Sequence, residues 1–134
     1  MSTHEAYIQE LMHQWARAVQ AKDIQAVLAH HSDDILMFDV VFPLQSKGIQ
    51  LYRDSWVNDV FPWFRDDGKF ELTELEVTAG DTVAFCTGII NCSGTENGKK
   101  VSYRLRLTTG LKNIDGQWTV MHQHFSEPVE PGKP

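Results

Sequence analysis

Tyr103-Arg104-Leu105-Arg106-Leu107-Thr108-Thr109, Ile114-Asp115-Gly116-Gln117-Trp118 and His122-Gln123-His124-Phe125-Ser126 are the stretches that decide the fold. Two alternating runs flank an Asp-Gly pair, a strong signal for a β-hairpin. Alternation gathers the polar members, Arg, Thr and His, on one face of the sheet. Two registers are open. A two-residue type I′ turn at Asp115-Gly116 pairs Thr109 with His122 and Leu107 with His124. A three-residue turn closed by Gly116, with a bulge, pairs Thr108 with His122 and Arg106 with His124. The second separates the residue types better and is preferred. It gathers Arg104, Arg106, Thr108, Trp118, Val120, His122 and His124 on one side. Tyr103, Leu105, Leu107, Thr109, Leu111, Met121, Gln123 and Phe125 fall on the other. The apolar set then faces the interior, and the Arg/His set faces outward or a second subunit. Trp118 among the latter favours a subunit interface.

Upstream, Thr82 to Cys92 is apolar on both faces and reads as a central strand covered on both sides. Gly94 to Gly98 reads as a loop. In Phe70 to Val77 the apolar phase switches between Leu72 and Leu75, which predicts a β-bulge and a bent sheet. Ahead of these strands lie helices. Ser2-Thr3-His4-Glu5 is a capping box, followed by an apolar stripe of Ile8, Leu11, Met12, Trp15 and Val19. Asp23 caps a short second helix bearing Ile24, Val27 and Leu28. Ile35 to Phe42 is a strand closed by Pro43, with Asp39 inside it. Gly48 opens a third helix with Ile49, Tyr52, Trp56 and Val60 on one side, ended or kinked at Pro62. Helices followed by antiparallel strands predict an α+β fold with the N-terminal helices in the concave face of a bent, mainly antiparallel sheet, and a cavity between the layers. One domain over residues 1–128 and a frayed tail over 129–134 account for the 134 residues.

A net charge of −6 argues against a nucleic-acid or anionic-membrane partner. Lys99, Lys100, Arg104, Arg106 and Lys112 crowd one hairpin, which reads as a solvated or interface face rather than a phosphate site. No secretory signal or membrane-spanning stretch is apparent. Cys86 and Cys92 lie on one strand about 20 Å apart. A disulfide tolerates only ~4.4–6.8 Å between Cα atoms. Reduced thiols fit a cytoplasmic protein.

Asp39 is the candidate general base, because a carboxylate in an apolar strand is desolvated and its pKa raised. The alternative places it at a strand end, partly wet. His122 and His124 share a face, as metal ligands do, but no third ligand completes a site and a hydrogen-bonding role is preferred; no metal or cofactor is called for. No nucleophile elbow or phosphate loop occurs.

The run Asp33-Asp34-Ile35 to Asp39, Gly48 opening a helix, and Asp115-Gly116-Gln117-Trp118 followed by His122, His124 and Ser126 resemble the SnoaL-like group of the nuclear transport factor 2-like superfamily, over about residues 3–128. That superfamily includes ketosteroid isomerase, polyketide cyclases and the calcium/calmodulin-dependent kinase II association domain. The resemblance implies a cone-shaped α+β fold, dimeric through the outer sheet face. It also implies that Asp39 occupies the isomerase's base position, that Trp15 stands in place of its oxyanion-hole Tyr, and that Thr108 or Thr109 stands in place of the Asp.

The expected function is a pocket for a small apolar or aromatic molecule, with isomerase, cyclase or lyase chemistry by proton abstraction. Asp39 is the base, and Trp15, Tyr52, Trp56, Thr109, Met121, Gln123 and Phe125 bind substrate. Arg104, Arg106, His122 and His124 form a homodimer interface or an alternative polar site. The rival reading is a non-catalytic ligand-binding or dimerisation module.

Overall fold

Helix α1 (Thr3–Gln20) starts where the capping box places it: Ser2 Oγ accepts from the Glu5 N–H at 3.1 Å, and the Glu5 carboxylate accepts from the Ser2 N–H at 3.0 Å. The computed structural model describes residues 2–132, so Met1 and tail positions 133 and 134 lie outside the described residues. The α1 stripe, Ile8, Leu11, Met12, Trp15 and Val19, is buried. Asp23 caps α2 (Ile24–Leu28) through the Ala26 N–H at 3.3 Å.

Strand β1 (His31–Phe38) begins earlier than the apolar run suggests and ends before Asp39. Its polar opening, Ser32 to Asp34, falls where the pairing with β6 is interrupted, between His31↔Val120 and Leu36↔His122. The strand stops because the chain leaves the ladder past Phe38↔His124. Val40, Val41, Phe42 and Leu44 then form an exposed loop. After β2 (Ser46–Lys47), Gly48 takes a φ of 97°, a conformation that costs glycine little, and opens α3 (Ile49–Asp54). A π-helical turn follows (Ser55–Val60), then α4 (Phe61–Phe64). Pro62 does not end the helix. It has no N–H to close a standard turn, and the segment before it is widened instead.

Strands β3 (Lys69–Ala79), β4 (Val83–Glu96), β5 (Lys99–Ile114) and β6 (Gln117–Ser126) complete a six-stranded sheet of order β2-β1-β6-β5-β4-β3. Only β1 and β6 run parallel. The expected β3 bulge is present: the register slips between Thr73↔Ile89 and Glu76↔Thr87, with Glu74 at a φ of 52°. Strand β4 runs on to Glu96, through the expected loop, and turns at Asn97-Gly98. It is covered on one face only. Ala84, Cys86, Ile90 and Cys92 are buried, while Val83 and Phe85 are 57% and 51% exposed, because the helices pack on a single side. Cys86 and Cys92 are free thiols.

The closing hairpin follows neither expected register. Ile114 pairs with Gln117 across a two-residue turn, with Asp115 and Gly116 at positive φ. The ladder then jumps from Leu111↔Val120 to Gly110↔His122, leaving Met121 as an extra, bulged residue. Beyond the bulge Thr108 opposes His124 and Arg106 opposes Ser126, with Arg104, Arg106, Thr108 and His124 exposed on the outer face. On the turn side the phase inverts. Trp118, expected on the outer face at an interface, is buried and donates its indole N–H to His4 Nδ1 at 3.2 Å; Val120 is buried beside Leu111. The bulge lets both halves of β6 bury their apolar residues, which a continuous ladder forbids.

The molecule is α+β, with the N-terminal helices against the concave face of a curled sheet. At its centre Trp15 meets Trp56, Phe70 and Phe125 at ring separations of 5.9, 5.5 and 6.3 Å.

Candidate functional site

The end of β1, the π-helical turn and the last residues of β6 meet around a cavity of about 930 Å³, within the range of small-molecule sites. Met37 and Asp39 come from the β1 end, Ser55, Trp56 and Asp59 from the π turn, and Trp63 and Phe64 from α4. Cys92, Glu96, Tyr103 and Leu105 come from the β4–β5 hairpin. His124 to Glu130 close the rim, so part of the segment expected to fray borders the cavity.

Asp39 is half-buried just past its strand, and Oδ1 accepts from the Val40 N–H at 2.7 Å. Burial raises its pKa above the ordinary aspartate value and the Asp59 charge adds to the rise, against the backbone hydrogen bond. Across the cavity Trp63 Nε1 and Tyr103 Oη both donate to Glu96 at 3.0 Å. Trp63 lies over Gly94, where any Cβ would strike the indole.

Behind the cavity wall is a buried polar network. The Tyr52 hydroxyl, fully buried, accepts from Trp15 Nε1 at 3.1 Å and donates to Gln123 Oε1 at 2.7 Å; His31 Nε2 lies 3.2 Å away. Burial pushes the His31 pKa down to about 4, so the ring is neutral at physiological pH. Its Nδ1–H goes to the Ala29 carbonyl at 2.8 Å, which leaves Nε2 an acceptor. One hydroxyl hydrogen thus faces two acceptors. Turning the Gln123 amide by a half-rotation removes the competition and gives its otherwise unpartnered nitrogen the Tyr52 oxygen.

Of the residues singled out in sequence, Asp39, Trp56 and Phe125 come together on the cavity, with His124 at its rim. Trp15, Tyr52 and Gln123 form the network behind it. Thr109 is buried between Cys86 and Gln123 in the ladder, and Met121 is the bulge; neither borders the cavity. Arg104 donates to Asn91 at 3.1 Å and pairs with Glu74 at 3.5 Å, and Arg106 donates to Ser126 Oγ at 3.0 Å. His122 donates Nδ1–H to the Leu36 carbonyl at 2.7 Å, while Phe38 packs edge-on against both His122 and His124. His31, Asp59, Glu96 and Tyr103 were not among the expected site residues, although Tyr103 was placed in the inward-facing set. The signal for the last two was Asn97-Gly98, a hairpin turn that aligns Glu96, Gly94 and Tyr103 on one face.

A curled sheet closed by helices, with a cavity at its open end, defines a class of pocket-bearing α+β domains. The chain belongs to the SnoaL-like domain family, whose pattern matches residues 8–130. An NTF2-like protein of unknown function from Pseudomonas putida KT2440 is 31% identical, with 98% of this chain and 92% of that one covered at a TM-score of 0.86. A candidate aromatic ring hydroxylase from Novosphingobium aromaticivorans is 19% identical, with 97% and 93% covered at a TM-score of 0.80. A candidate ketosteroid isomerase from Shewanella frigidimarina is 18% identical, with 87% and 92% covered at 0.73. The last two likenesses show the fold alone. No curated protein matches the sequence. Among the described residues no helix is long and apolar enough to cross a membrane.

Proposed function

We propose that this chain is a small-molecule enzyme of the isomerase, cyclase or lyase kind, in which Asp39 abstracts a proton from a carbon acid held in the cavity. The observation that supports this reading is a half-buried carboxylate with a raised pKa on the wall of a cavity large enough for a ring system. A raised pKa strengthens the carboxylate as a base once it is ionised. Trp56, Phe70 and Phe125 offer flat apolar surface to the substrate body. Trp15 and Thr109 are not arranged as an oxyanion hole: the indole N–H of Trp15 is committed to Tyr52, and Thr109 lies away from the cavity. The reading therefore departs from steroid isomerisation and keeps only its proton-abstraction step. The free thiols of Cys86 and Cys92 suit a cytoplasmic setting.

The test is deuterium exchange of the acidic ring protons of 2-tetralone, an apolar aromatic ketone, followed by NMR in D₂O. Wild-type protein accelerates the exchange over buffer, and Asp39→Asn loses roughly 10²-fold or more of that acceleration while keeping its circular dichroism. Equal acceleration by both proteins removes Asp39 from the mechanism.

A second reading, self-association through the outer sheet face, is supported by the exposure of Val83, Phe85 and Ile114 on that face.

A further inference from the structure

The charge of the ligand can be read from what surrounds the cavity. Asp39, Asp59, Glu96, Glu127 and Glu130 border it, and among the described residues no Lys or Arg does. Asp39, Asp59, Glu96 and Glu127 form no ion pair among the described residues. Lys99 stands opposite Glu96 in the ladder without pairing to it, and Arg106 meets the rim only through Ser126 Oγ. The groups inside respond to this field. Burial and Asp59 raise Asp39, burial and Glu127 raise Cys92, and the Glu96 hydrogen bond together with the charges of Glu96 and Glu127 raises Tyr103.

The aromatic wall points the same way. Trp63 and Tyr103 stack with ring centres 6.1 Å apart, and each gives its polar hydrogen to Glu96. Donating to a carboxylate enriches the ring faces in electron density, which strengthens their attraction for a cation. Carboxylates and electron-rich rings around an apolar space repel an anion and leave a neutral body with no electrostatic reward.

We propose that the cavity takes an organic cation, an ammonium group on an apolar body. The charge sits among the carboxylates and the Trp63 and Tyr103 faces, and the body sits against Trp56, Phe70 and Phe125. This rests on the cavity being the ligand site of the proposed function, and it holds whether or not Asp39 moves a proton.

The experiment compares three probes by NMR chemical-shift titration of the indole N–H signals: benzyltrimethylammonium, its neutral isostere neopentylbenzene, and phenylacetate. The expected result is that the cation binds about tenfold tighter than the isostere, with phenylacetate weakest. The variant Asp59→Asn/Glu127→Gln changes two exposed side chains, so the fold is retained. It should cut the cation's advantage to about threefold or less and leave the isostere's affinity unchanged. A cation that binds no better than the isostere, or shows no shift up to about 10 mM, overturns the proposal. So does a cation preference that survives the double substitution. Because binding is read with Asp39 intact and exchange is read with a neutral ketone, each proposal can fail without the other.

Discussion

Asp39 owes its environment to one backbone step. Strand β1 ends at Phe38, and the next residue leaves the ladder with its carboxylate half-buried between the Val40 N–H and the Asp59 charge. A folded-state pKa above the unfolded one means that the native protein holds this proton more tightly than the unfolded chain does. Stability from this group is therefore greatest below the ordinary aspartate pKa of 3.8 and is lost as pH rises through the elevated native value. Asp39→Asn removes that loss and keeps an oxygen for the Val40 N–H. Urea unfolding should find the variant more stable than wild type at pH 7, with the advantage shrinking to nothing as pH falls toward 3.8. An advantage that does not change with pH would assign the gain to something other than the charge. Under the proposed mechanism activity and stability pull in opposite directions at this residue, as they commonly do at catalytic groups.

The two bulges show why one strand was legible in sequence and another was not. In β3 apolar residues stand on both sides of the slip, so Leu72 and Leu75 expose the change of phase. In β6 the slip falls at Met121, an apolar residue next to the buried Val120 and followed by His122-Gln123-His124. Met121 passes for a member of the inner set, and the polar residues after it carry no hydrophobic phase to correct the reading. The turn does fall at Asp115-Gly116, but with two residues rather than the preferred three, and neither expected ladder holds above it. A different constraint governs the β4–β5 hairpin, where Gly94 leaves room for the Trp63 ring over the strand. Gly94→Ala should force the indole off the strand and away from Glu96. We expect a shift in tryptophan fluorescence and a loss of about 1–3 kcal/mol in urea unfolding. An unshifted spectrum would mean that the ring has room the structure denies it.

Over the whole molecule, the layer order and the buried face of α1 followed from hydrophobic pattern, because pattern is a local record of burial. The cavity did not. Its carboxylates are far apart in the chain, at positions 39, 59, 96, 127 and 130, and each except Asp39 looks like an ordinary surface acid. Only the curl of the sheet brings them to one opening. The outer face is the surface of the second reading, with Val83 and Phe85 half-exposed and Arg104, Arg106 and His124 on the same side. Sedimentation velocity should show a dimer, weakened about tenfold or more by Arg106→Glu. A wild-type-like dimer in that variant takes Arg106 out of the interface, and a monomeric wild type ends the reading. The parallel pairing of β1 with β6 joins residues 31–38 to residues 120–124, and the link between the two strands spans most of the chain. Such contacts form late, because the loop-closure entropy is lost before the contacts return anything. During synthesis the helices and β1 emerge first and wait, with Ile35 and Met37 lacking their final neighbour, until β6 leaves the ribosome. The Asp39 end of the site is therefore completed last, when the final strand supplies both its partner ladder and its rim.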